Sequence, residues 1–100
     1  MAAPQTFFFK DDGLVPNNPL PMLLYRGAID APDMADAIET LFARNGWGHG
    51  QWRNGIFPFV HYHSMIHEGM GMARGRARVR FGGTKGTEIE LAQGDVAVLP

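Results

Sequence analysis

The sequence contains no cysteine. That excludes a disulfide framework, thiolate catalysis, and zinc or iron–sulfur sites held by cysteine. Any metal bound by this chain must be held by histidine and carboxylate. A surplus of charge is also missing: nine Lys and Arg against ten Asp and Glu give a formal net charge of −1. With that balance nothing draws the chain to nucleic acid or to an anionic membrane. The N-terminal stretch MAAPQTFFFKDDG has no basic start and only a short phenylalanine run, so it does not read as a secretory signal. No segment approaches the roughly 18 apolar residues of a membrane span. These absences predict a soluble, cytoplasmic protein.

What the chain does contain is the composition of a folded globular domain, 45% hydrophobic and 19% charged over 100 residues. A domain of this size buries only about two-thirds of the surface its unfolded form exposes, so the core is modest. Thirteen glycines and seven prolines predict short elements joined by many turns.

Most of the patterning is that of strands. TFFF (6–9) and MLLYRGAI (22–29) read as strands on either side of the turn-rich KDDGLVPNNPLP (10–21). From Pro32 to Arg44 the period changes. Met34, Ile38, Leu41 and Phe42 form one apolar stripe on a helix, with Asp33 and Asp36 near its positive end and Asn45-Gly46 as its C-cap. After the glycine-rich GWGHGQWRNGI (46–56), strands are predicted at FPFVHYH (57–63), EGMGMAR (68–74), RARVRF (76–81), TEIEL (87–91) and VAVLP (96–100), with GGTKG (82–86) as a hairpin turn. Strands with glycine-marked turns at such short intervals predict a barrel or sandwich. Residues 1–54 supply N-terminal strands and the helix, 32–44, packing on a barrel core made from 55–100, all in one domain.

One stretch, HYHSMIHE (61–68), holds three of the four histidines and a glutamate. His61 and His63, two apart on a strand, project from the same face. Glu68 begins the next strand, and an antiparallel neighbour would bring it opposite the histidine pair. Two imidazoles and one carboxylate form the ligand set of many non-haem iron sites, and manganese, nickel, cobalt and zinc also accept these donors. His67 and Glu68 point to opposite faces of a strand, so only one of them can enter such a site.

The spacing extends further: Gly55, five residues, His61, one residue, His63, four residues, Glu68, six residues, Gly75. It reproduces every fixed position of the first cupin motif, and the chain resembles the cupin superfamily of double-stranded β-helix, or jelly-roll, proteins. The wording of HYHSMIHE, LAQGDVAVLP and DDGLVPNNPLPMLLYR is similar to the YjlB-type bacterial cupins in particular. The resemblance implies a mainly β, RmlC-like barrel in which His61, His63 and Glu68 bind a divalent transition metal. It favours Glu68 over His67 as the third ligand. The second cupin motif runs glycine, five residues, proline, then a glycine and a fourth histidine ligand. Gly94 and Pro100 fit its start, and the sequence stops there. The expectation is a truncated cupin, either a fragment or an unusually shortened member, whose unclosed barrel has open strand edges that favour pairing as a homodimer.

Other features carry plainer readings. Met70 and Met72 share the inner face with Glu68 as core or pocket wall, while Gly69, Gly71 and Ala73 on the other face leave room for a second layer. Trp47 and Trp52 read as packing between helix and barrel, Tyr62 as packing between the ligands, and His49 as exposed. Arg74, Arg76, Arg78 and Arg80 could suggest nucleic acid, but they alternate with apolar residues and read as a solvated sheet face. Glu88 and Glu90 face water opposite that row rather than forming an acid–base pair. Two functions are expected. One is a metal-binding cupin taking a small-molecule ligand, acting as an oxygenase (dioxygenase) or isomerase if it is an enzyme. The other is a non-catalytic small-molecule binding or sensory domain with a structural or degenerate metal site.

Overall fold

The computed structural model describes residues 3–11, 16–47 and 67–100. Among these are six strands and a helix: β1 (Gln5–Phe7), β2 (Met22–Tyr25), α1 (Met34–Arg44), β3 (Glu68–Gly71), β4 (Arg76–Phe81), β5 (Thr87–Ala92) and β6 (Val96–Leu99). Four strands form an antiparallel sheet in the order β1-β2-β6-β3, and β4 and β5 form an antiparallel hairpin. The protein is therefore mainly β, with antiparallel sheets and one short helix. The predicted strand at 57–63 lies outside the described residues.

Helix α1 starts with the apolar stripe at Met34, two residues later than the predicted start at residue 32. Asp33 is its N-cap: the carboxylate accepts from the Asp36 amide at 3.1 Å, which satisfies one of the exposed first-turn donors. The other end behaves as the Asn-Gly pair predicts. Asn45 is the C-cap, its side-chain amide donating to the Leu41 carbonyl at 2.8 Å, and Gly46 follows at φ 78°.

Register sorts the four-stranded sheet into two faces. Gln5, Leu24, Ala97 and Met70 stand in one row. Two residues along, Phe7 pairs with Met22 and Leu99 with Glu68, so alternation puts all of these on the same face. This inner face meets the hairpin. Met22, Leu24 and Ala97 bury against Phe81, Ile89 and Leu91, with Phe7, Phe9, Met70, Met72, Val79 and Leu99 packed around them. Met22, Leu24 and Leu91 are fully buried, each worth about 1.5–3 kcal/mol in removed apolar surface.

The outer face carries Leu23, Val98 and Gly69 in one row and Tyr25, Val96 and Gly71 in the next. Helix α1 lies over it, and the glycines set how closely. A Cβ on Gly71 would stand 2.5 Å from Ile38 Cγ2, and one on Gly69 would touch Trp47 at 3.5 Å. Trp47 in turn leans on Phe42, ring centroids 6.2 Å apart. The expected room for a second layer is thus filled by the helix. Gly71→Ala should destabilise the fold by about 1–3 kcal/mol in urea denaturation through overpacking. Adding Ile38→Ala should recover part of that loss; strictly additive costs would show that the two residues do not compete for the same space.

A buried carboxylate joins the two sheets. Asp95, 5% exposed, precedes β6. One of its oxygens accepts from the Gly27 amide at 2.9 Å; the other accepts from the Ala92 amide at 2.9 Å and from Arg26 Nη1 at 3.0 Å. Arg26 also donates to the Glu90 carbonyl. The backbone joins in: Met72 donates to the Asp95 carbonyl at 2.9 Å and Gly94 to the Met72 carbonyl at 2.8 Å. Gly94 sits at φ 90°, where a Cβ would come 2.5 Å from the Ile29 carbonyl oxygen, so only glycine fits this turn.

Burial by itself would raise the Asp95 pKa. The Gly27 and Ala92 amides and the Arg26 guanidinium outweigh it and hold the carboxyl below the ordinary carboxylate range. A depressed folded-state pKa contributes stability that is full above the unfolded value of about 3.9 and is lost as pH falls through the folded value. Asp95→Ala leaves the part-buried Gly27 and Ala92 amides and Arg26 without their acceptor and should cost about 1–3 kcal/mol at neutral pH. In urea titrations at stepped pH, the gap between wild type and Asp95→Asn should narrow below about pH 4. A gap that is constant with pH would mean that the carboxylate charge contributes nothing.

Candidate functional site

Glu68 opens β3, half-buried, on the face of the sheet that looks toward the hairpin. Among the described residues its register neighbours on that face are apolar: Leu99 directly across, Met70 two residues along its own strand, and Phe7 paired with Met22 farther across the sheet. Asp95 lies four residues before Leu99, about 13 Å along an extended strand. The space between the sheets therefore has two ends. One is fastened by the mutually neutralised Arg26–Asp95 pair, and the other carries Glu68.

Of the three predicted ligands, the structure locates Glu68. His61 and His63 lie outside the described residues. Among the described residues no three His, Asp or Glu side chains gather in a group able to hold a metal. His67, just before β3, is exposed. Met70 and Met72 both pack on the core, on the side anticipated for a chamber wall. Trp47 packs against helix and sheet as expected; Trp52 is outside the described residues.

The hairpin carboxylates are accounted for separately. Arg76 pairs with Glu90 at 3.3 Å and Arg80 with Glu88 at 3.3 Å, while Arg78 sits between Glu88 at 3.4 Å and Glu90 at 3.9 Å. Each glutamate is thereby shared between two arginines on the exposed face of the hairpin. This is a solvated ladder, not an acid–base pair.

A second recess lies on the opposite side of the sheet. It has a volume of about 290 Å³ and sits between α1 and the outer face, against Leu23, Tyr25, Phe42, Trp47 and Val98. Among the described residues its lining carries no charged side chain. The Arg26–Asp95 clasp was not singled out from the sequence. Its signal is the Gly94-Asp95 pair at a turn directly before an apolar strand, a place where a carboxylate can cap backbone amides.

No family model matches the chain, and no solved structure matches it. The chain is similar to the uncharacterised protein YjlB of Bacillus subtilis (strain 168). The two are 41% identical over 97 residues, which is 96% of this chain and 56% of YjlB. The chain thus spans about half the length of the curated relative it matches. Among the described residues no helix is long and apolar enough to cross a membrane.

The ladder pairs are exposed, and such pairs contribute little. Arg78→Ala should lower stability by less than about 1 kcal/mol at low salt, and by less still in about 1 M salt, where the Debye length falls to about 3 Å. A larger, salt-independent loss in urea denaturation would show that Arg78 packs rather than pairs.

Proposed function

We propose that this protein is a metal-binding cupin, in which His61, His63 and Glu68 hold a divalent transition metal between the sheets of a jelly-roll barrel. The observation that carries the reading is the position of Glu68. It lies on the inward face, in an apolar row, at the end of the sheet space opposite the Arg26–Asp95 clasp. The first-motif spacing supplies the two histidines five and seven positions before it. The similarity to YjlB over 96% of the chain supports placing it with the YjlB-type proteins.

The residues present suit such an ion. A carboxylate and two imidazoles are the donors that iron, manganese, nickel, cobalt and zinc accept, and an apolar surround strengthens their hold by keeping water out. When bound, a divalent ion supplies Lewis acidity, or oxygen activation if it is iron(II), which suits a small-molecule oxygenase or isomerase. Glu68 contributes the single negative charge of the ligand set. Met70 and Leu99 flank it with apolar surface, and the histidines bind in their neutral form.

The protein should purify with a divalent transition metal that the His61→Ala/Glu68→Ala double variant lacks by elemental analysis. Occupancy should fall as pH drops through about 6.5, where imidazole protonates. Metal retained in the double variant, or full occupancy at about pH 4, would reject histidine–glutamate ligation. Added metal should also raise the melting temperature of the metal-free protein, because a ligand bound only by the folded state stabilises it.

A further inference from the structure

We propose that the exposed arginine face of the β4–β5 hairpin docks the acidic start of α1 from a second copy of this chain, so that copies associate weakly, head to tail. The carrying observation is a division of charge that the net value of −1 conceals. From Arg74 to Ala92 there are five basic residues and two acidic ones. Between Arg26 and Arg44 there are four acidic residues and no basic one. The fold sets these two segments on opposite sides of the four-stranded sheet. The hairpin packs on the inner face with its ladder turned outward, and α1 lies on the outer face.

The hairpin face retains donors for a partner. Arg76 reaches Glu90 through Nη1 and Arg80 reaches Glu88 through Nη2, with 77% and 48% of the two side chains exposed. A guanidinium carries five N–H donors, so each has several left for a carboxylate from outside. Arg74 and Lys85, both exposed, add positive charge at the two ends of the hairpin. The matching surface is Asp30, Asp33 and Asp36, all exposed at the start of α1. Asp33 caps the helix by accepting from the Asp36 amide, and it keeps its charge while doing so.

Charge decides among the ways in which two copies could meet. Ladder against ladder brings together two arginine-rich faces, and helix start against helix start two acidic ones; both repel. Ladder against helix start is the complementary contact. Because the two surfaces lie on opposite sides of the sheet, this contact repeats from copy to copy rather than closing in a pair. A net charge of −1 leaves little overall repulsion to keep copies apart. Exposed ion pairs are weak and screened by salt, so the association belongs to high protein concentration and low salt.

Sedimentation equilibrium of the full chain reads the contact at about 10 mM salt, where the Debye length is about 30 Å, and at about 1 M, where it is about 3 Å. At low salt the average mass should rise above the monomer between about 10 μM and about 1 mM protein, and it should return to the monomer at high salt. Arg76→Glu/Arg80→Glu and Asp30→Lys/Asp36→Lys should each weaken the association about ten-fold or more, since each removes the complementarity. An equimolar mixture of the two variants should associate again, because the unaltered hairpin of one meets the unaltered helix start of the other. Three results would overturn the assignment: a wild type that stays monomeric to about 1 mM at low salt, association that survives high salt, or a monomeric mixture whose components unfold in urea as cooperatively as wild type. If wild type stays monomeric yet binds polyglutamate in a salt-sensitive way, the arginine face serves another acidic protein and the second copy is ruled out.

Discussion

The packing of the two sheets depends on one buried carboxylate. Asp95 gathers the backbone of β2's exit, the end of β5 and the Arg26 side chain onto two oxygens, and its own carbonyl receives the chain leaving β3. A modest core cannot align two sheets by apolar contact alone, because such contact is non-directional. Hydrogen bonds to a charged group are directional and stronger than neutral ones. The clasp therefore fixes the angle at which the hairpin meets the larger sheet, and the apolar residues fill the space so defined.

The larger sheet serves two layers, and β3 shows how. On one face its residues are Glu68 and Met70; on the other they are Gly69 and Gly71. The glycine face lets Ile38 and Trp47 settle almost onto the backbone, so α1 braces the strand that bears Glu68. The helix lies on the face opposite Glu68, yet it limits how far that strand can move. A carboxylate meant to meet donors from another segment gains from being held on a strand supported from behind.

Much of this was legible in the residues. The alternation of RARVRF and TEIEL gave the hairpin strands almost to the residue, because one face is charged and the other buried, the condition under which period-2 patterning is clearest. The glycine alternation in EGMGM foretold the close second layer for the same reason. Boundaries were less legible. MLLYRGAI read as eight residues of strand, but pairing stops at Tyr25, since the next residues turn toward Asp95. That turn is set by a partner some seventy positions away, which no local pattern reports. Of the candidate site, the sequence placed Glu68 by parity on the same face as Met70 and Met72, and that face turns toward the core. It did not reveal Arg26 and Asp95 at the other end, because their pairing is made only by the fold.

The arginine–glutamate ladder has a consequence for accuracy rather than strength. Because Arg78 bridges Glu88 and Glu90 while Arg76 and Arg80 each reach one of them, the charges mesh like the teeth of a rack. Sliding β4 past β5 by two residues would keep the buried face buried, so the core alone barely opposes that error. The same slide would carry an outer arginine beyond the last acidic tooth. Weak exposed contacts thus act as a vernier, deciding which of two equally greasy alignments sets Val79 opposite Ile89.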